Sequence, residues 1–185
     1  MLVLSGCAVL GGGSKPLDTF ELTAASPASH ARAARRQVLV AEPTALKALD
    51  SESIVIKPSP KSIQYLGGAQ WADRLPRIVQ AKLAETLQRS GRFAGVGRPG
   101  DGLAIDYQIL TDIRSFEVRL DGGARAEVEL YVQVLNDRNG VVRASRLFTA
   151  AAPVSGQGAD AFVAGLDGAF HKAALEIVDW VTPLI

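Results

Sequence analysis

The sequence predicts an α+β fold: an antiparallel β-sheet with two main amphipathic helices packed on one face. Three observations carry this. Trp71, Leu75, Val79, Leu83 and Leu87 recur every four residues with Ile78 beside them, the apolar stripe of a helix. "AEVELYVQV" sets Ala126, Val128, Leu130, Val132 and Val134 on one face and Glu127, Glu129, Tyr131 and Gln133 on the other, the alternation of a half-buried strand. Phe162, Leu166, Ala169, Phe170, Ala173, Ile177 and Val181 form a second long stripe. Helices with one apolar stripe and a sheet with one apolar face bury each other in two layers.

In chain order, "TFELTA" (19–24) alternates and reads as a strand, and "SPASHARAARRQ" (26–37) as a loop or irregular arm. "VLVAEP" is a short apolar strand closed by Pro43, and "ALKALDS" a short helix or turn. "SIVIKP" and "SIQYL" are two short strands around the breaker "PSP". The first helix follows. Pro76 fits only near its start, which places the first turn around Ala72 to Leu75, and Gly91 after Ser90 supplies a left-handed cap. "LAIDYQI", "AEVELYVQV" and "VVRASRLFTAAAP" then form a meander, with turn signals at "DGG" (121–123) and "NDRNG" (136–140). The last helix spans about 159–182, stopped by Pro183.

The 185 residues suffice for one compact domain and a tail, a size that buries roughly 70% of the unfolded surface. Hydrophobic residues make up 48% and charged residues 21%, which is ordinary for a globular domain. A net charge of +1 argues against a nucleic-acid binder, which is usually strongly basic. One cysteine cannot form an internal disulfide, and Cys7, His30 and His171 are too few for a cysteine zinc site, so no metal or cofactor is expected.

Cys7 stands in "LSGC", inside the uncharged start "MLVLSGCAVLGGG". It reads as an incidental thiol, a reactive thiol or a lipidation site. A reactive thiol needs a basic neighbour or a helix N-terminus, and the segment offers neither. An aliphatic residue, two small residues and cysteine match a bacterial lipobox, in which the cysteine is acylated and becomes the first mature residue. Signal peptides begin with a charged region, so residues 1–7 read as a truncated signal and lipobox. Residues 8–18 read as a flexible Gly-rich tether, and residues 19–185 as a single α+β domain. Acylation would hold the chain at a membrane, each buried CH₂ contributing about 0.8 kcal/mol. Ala8, rather than an aspartate, after the cysteine fits the periplasmic face of the outer membrane, as in lipoproteins generally.

Other motifs point to no reaction. "GVGRPG" (95–100) has the letters of a dinucleotide loop, but it precedes a strand instead of opening a helix. No serine sits in a G-x-S-x-G elbow. His171 follows Asp167 by four residues, the spacing of a helix surface pair, and the Glu127–Glu129 pair reads as a solvated strand face. The one local basic cluster, Arg32, Arg35 and Arg36, is a candidate contact for anionic headgroups or an acidic partner, against a solvated arm.

Together, Ile63-x-Tyr65, Trp71-Ala72-Asp73, the leucine-rich helix, Ser90-Gly91-x-Phe93, the meander and the closing "EIVDWV" resemble the ABC-type transport auxiliary lipoproteins, the PqiC-like family, over about residues 17–182. The resemblance implies a non-enzymatic accessory lipoprotein. It would work with an ABC permease and ATPase and an MCE-domain protein, moving lipids or other hydrophobic molecules between membranes, and a ring of subunits is one arrangement it suggests. Tyr65 and Trp71 are the aromatic candidates for partner contact, though Trp71 also continues the core stripe. The rival reading is a stand-alone periplasmic carrier with a hydrophobic ligand between helices and sheet. A buried apolar cavity would favour the carrier, and an exposed apolar patch or open strand edge would favour docking.

Overall fold

The computed structural model describes residues 16–27 and 35–185. Cys7, most of the tether, His30 and Arg32 lie outside the described residues. In chain order the elements are β1 (Asp18–Phe20), β2 (Gln37–Val40), β3 (Thr44–Ala45), β4 (Ser53–Ser59), β5 (Ser62–Trp71) and α1 (Leu75–Arg89). There follow β6 (Gly95–Gly97), β7 (Tyr107–Arg119), β8 (Arg125–Asn136), β9 (Val142–Pro153), α2 (Ala159–Val181) and a 3₁₀ turn (Thr182–Leu184).

Strand β7 is the spine. One edge pairs antiparallel with β8 along its whole length, from Tyr107 opposite Asn136 to Arg119 opposite Arg125, and β8 pairs antiparallel with β9. This is the predicted meander. The other edge of β7 is divided in parallel among β2, β3 and β4, with Val38 opposite Tyr107, Thr44 opposite Asp112 and Val55 opposite Glu117. Pro43 falls between β2 and β3, where it has no ladder bond to break. β5 folds back on β4, β1 joins β5 in parallel, and β6 joins β2. The sheet is therefore mixed, antiparallel in the meander and largely parallel beyond β7.

A bulge sets the phase of β7. The register with β8 slips between Ile113 and Ser115, so Arg114 is an extra residue. The inward set accordingly changes from Tyr107, Ile109 and Ile113 to Phe116 and Val118. Strand β8 keeps one phase, and its five predicted apolar positions are fully buried.

Both helices cover the inner face. Trp71 lies edge-on to Phe116 at 6.0 Å, Phe116 packs on Phe170 at 6.4 Å, and Phe148 meets Trp180 at 5.5 Å. Aromatic pairs like these add about 0.5–1.5 kcal/mol each beyond their area burial. α1 begins at Leu75 with Pro76 in its first turn, and Gly91 takes φ +61° beyond its end. Trp71 thus closes β5 instead of opening the helix, its amide donating to Glu52 O at 2.7 Å, yet it fills the same core.

The predicted strand 19–24 shortens to Asp18–Phe20. Residues 22–25 instead lie over the helices: Ala25 N–H donates to Thr86 Oγ1 at 3.1 Å, and Arg89 donates to Ala24 O at 3.0 Å. "ALKALDS" forms a turn, where the Leu49 and Asp50 amides both donate to Leu46 O. "LAIDYQI" becomes strand only from Tyr107, and Leu103 is exposed. Among the described residues, no helix is long and apolar enough to cross a membrane.

Candidate docking surface

Among the described residues, no helix lies on the outer face of β7–β8–β9. That face presents alternate residues of each strand, with cross-strand rows set by register: Asp112, Tyr131 and Leu147, then Leu110, Gln133 and Ser145. The Arg114 guanidinium stacks 4.4 Å over the Tyr131 ring, which fixes the aromatic plane and leaves Leu147 exposed beside it. A shallow groove of about 220 Å³ runs beside them, lined by Ala41, Glu42, Thr44, Leu110, Asp112 and Tyr131. A second depression, about 320 Å³, is walled by charged groups including Lys57, Arg114, Glu117, Arg119 and Glu127. Neither lies between the helices and the sheet, where a carried apolar ligand would sit.

The carboxylates here are tied up. Arg119 bonds Asp121 at 2.7 Å and reaches Glu127 at 3.5 Å, and Arg125 holds Glu127 at 2.7 Å. The hydrogen bond from Arg119 holds the Asp121 carboxyl below the usual range and raises the Arg119 guanidinium. Glu127 and Glu129 are therefore not an acid/base couple: one sits in an ion-pair network, and the other faces Thr149 Oγ1 at 3.5 Å.

At the β2 end of β7, residues distant in sequence converge on Asp106. Gln37 N–H donates to it at 3.0 Å, Arg138 at 3.0 Å, and Arg36 lies at 3.5 Å. The Gln37 amide first, then the two arginines, hold the carboxyl below its ordinary range against the opposing effect of desolvation. Arg143 reaches the Tyr107 hydroxyl at 3.4 Å, and Arg146 lies 4.9 Å over the Phe148 ring.

The predicted contact residues fare differently. Arg36 is docked on Asp106, and Arg35 is exposed next to it. Tyr65 is 53% exposed on β5, with Ile63 exposed beside it. Trp71 is 1% exposed and is core, so its ring is not available to a partner. Arg138, Arg143, Arg146 and Tyr131 escaped the sequence reading, since their proximity depends on strand register. "GVGRPG" forms β6 and then a turn with Gly100 at φ +95°, so no helix N-terminus follows it.

His171 is a surface group, as expected, with an added role. Its Nε2 lies 2.7 Å from Thr23 Oγ1 and 3.5 Å from Asp167, while Thr23 donates both N–H and O–H to Asp167 at 2.7 Å. The aspartate bonds the threonine instead of orienting the imidazole, so this is a clasp and not a nucleophile triad. Among the described residues, no three His, Cys, Asp or Glu side chains are grouped to hold a metal.

A one-sided mixed sheet under two helices, with an uncovered face and open edges, defines the structural class. The ABC-type transport auxiliary lipoprotein component family matches residues 20–178, and the chain belongs to it. A Bradyrhizobium diazoefficiens protein, bll6063, is 30% identical over 184 residues, covering 96% of this chain. The chain spans about half of that relative's length, 49%. The crystal structure of XCC0632 from Xanthomonas campestris, assigned to family DUF330, superposes with a TM-score of 0.82 at 28% identity, covering 90% of this chain and 95% of that one. The PelC dodecamer from Paraburkholderia phytofirmans shares the fold at a TM-score of 0.52 and 14% identity, over 83% of this chain and 91% of its own.

Proposed function

We propose that the chain is a non-enzymatic auxiliary lipoprotein of an MCE/ABC-type lipid transport system, tethered through acylated Cys7 to the periplasmic face of the outer membrane. Its action is positional: the lipid holds it, the tether gives reach, and the domain docks on a periplasmic MCE-domain protein. The eleven residues after Cys7, through Asp18, allow at most about 36–40 Å of span. The observation that carries the reading is the family match over residues 20–178. The uncovered sheet face supports docking, since its two depressions are shallow and partly charged and the helix–sheet layer is filled by side chains. A homo-oligomeric ring would multiply such contacts, and PelC, with the same fold, is a dodecamer.

The test is intact-mass spectrometry of the protein from its native membrane, joined to cross-linking in cells with a candidate MCE-domain protein of the same organism. Diacylglycerol and acyl mass on Cys7, with a cross-linked pair, is the expected result. A free thiol with no cross-link contradicts the proposal.

A further inference from the structure

Among the described residues, strand β9 is an edge strand, with β8 as its one neighbour. Lys172 Nζ donates to Ala151 O at 2.8 Å, so that carbonyl points away from β8. Residues two apart on a strand direct their backbone groups to the same side, so Ser145, Leu147 and Thr149 aim both N–H and C=O outward. Among the described residues, none of these groups has a backbone partner. Lysine caps one end of this row and leaves the rest open.

The charge along the open row is uneven: Glu129 faces Thr149 at one end, and the arginines gather at the other. Arg143 and Arg146 touch only aromatic groups, with no carboxylate of the described residues within 4 Å. Arg36 and Arg138 share Asp106, and Asp137 is bonded to Gln108. Val142 and Leu147 add two exposed apolar side chains, each 42% accessible. A ligand that fits this edge is extended and partly apolar, with its carboxylates at the Arg143–Arg146 end.

A second copy of the chain fits poorly. An antiparallel β9–β9 pair through Ser145, Leu147 and Thr149 would set Arg146 opposite Phe148 and make it a diagonal neighbour of its own copy, with both Arg143 side chains added to the same seam. Beyond the Ala69–Trp71 stretch that β1 covers, β5 is open over residues 62–68, and that open part begins beside Lys61. Like charges facing each other across strands destabilise the pair. Edge arginines can also serve merely to repel strands, which would leave β9 with no ligand.

We propose that β9 is a strand-addition site for an extended acidic segment of a partner protein. The segment pairs with Ser145, Leu147 and Thr149 and sets its carboxylates against Arg143 and Arg146. This rests on the docking function proposed above.

The experiment is amide hydrogen exchange by NMR on the full chain, with a capped heptapeptide of alternating glutamate and valine as probe. Exchange at the Ser145, Leu147 and Thr149 amides slows roughly tenfold or more, while the Arg146, Phe148 and Ala150 amides, already paired to β8, stay protected. The Arg143→Glu/Arg146→Glu double variant loses the slowing and keeps the β8-paired protection, which shows that it is folded. The proposal is overturned by no slowing at the three amides, or by equal slowing with a lysine–valine peptide. It is also overturned by slowing that follows protein concentration without peptide, or that anionic phosphatidylglycerol vesicles produce and the peptide does not. If the double variant still cross-links fully to the MCE-domain protein, the β9 site falls and the docking function stands.

Discussion

Thr111 buries a hydroxyl that finds no partner among the described residues: the residue is 5% exposed, and its Oγ1 has no hydrogen bond there. An unsatisfied buried hydroxyl costs about 1–3 kcal/mol, and valine has nearly the same shape. Thr111→Val is expected to raise stability by about 1 kcal/mol, read as a higher urea midpoint at unchanged m-value. Asp106 gives a pH signature. Its folded-state pKa is depressed, so its contribution is complete above the ordinary carboxylate value and is lost as pH falls through the folded one. Between about pH 6 and pH 3, the wild type therefore loses more stability than Asp106→Asn, measured by urea unfolding at both pH values. Equal losses would show that the Gln37 and arginine bonds do not persist in solution. None of this was legible in the sequence. Thr111 lies in an apolar alternation, and Asp106 gathers Gln37 and Arg138 only once β2 and the β8–β9 hairpin are in place.

At the scale of elements, α2 approaches the sheet at Gly165. A Cβ there would meet Val154 Cγ2 at 2.9 Å and Ala126 Cβ at 3.3 Å. At Gly168 the nearest atom is Ala152 Cβ at 3.7 Å, an ordinary contact. Glycine costs a helix about 0.8–1.0 kcal/mol relative to alanine, so Gly168→Ala is expected to stabilise by up to that amount. Gly165→Leu instead overpacks the seam and destabilises by about 1–3 kcal/mol or more. Thermal or urea unfolding of the pair checks both signs. The two stripes and the β8 alternation were readable because one strong period governs each, and the structure buries Leu75, Val79, Leu83, Leu87 and the five β8 positions. The bulge at Arg114 hid half of β7, since it reverses the alternation in mid-strand. The parallel strands β2, β3 and β4 were read at most as isolated strands or a turn. Short segments say nothing of their partners, and three of them share one edge of β7.

At the scale of the molecule, the fold divides its labour. One face of the sheet is filled by two helices and an aromatic core, and the other face and the β9 edge are left to solvent. Residues 18–25 enter beside β5 and are fastened to α2 by Thr23, Asp167 and His171. A pull on the chain before Asp18 would therefore reach α2 through the clasp as well as through β1. Thr23→Val is expected to speed amide exchange in residues 21–25 while leaving β8 protection unchanged. The measurement that bears most directly on the central claim is cross-linking of the full-length, natively processed protein to the MCE-domain protein of its own system in intact cells. Residue-specific photo-cross-linkers would be placed at Leu147 and, as a control, at a buried β8 position such as Leu130. Docking through the uncovered face and the β9 edge would give a cross-linked pair from Leu147 and none from Leu130. Absence of that pair from Leu147, Tyr65 and Tyr131 alike would contradict docking as the function of this chain.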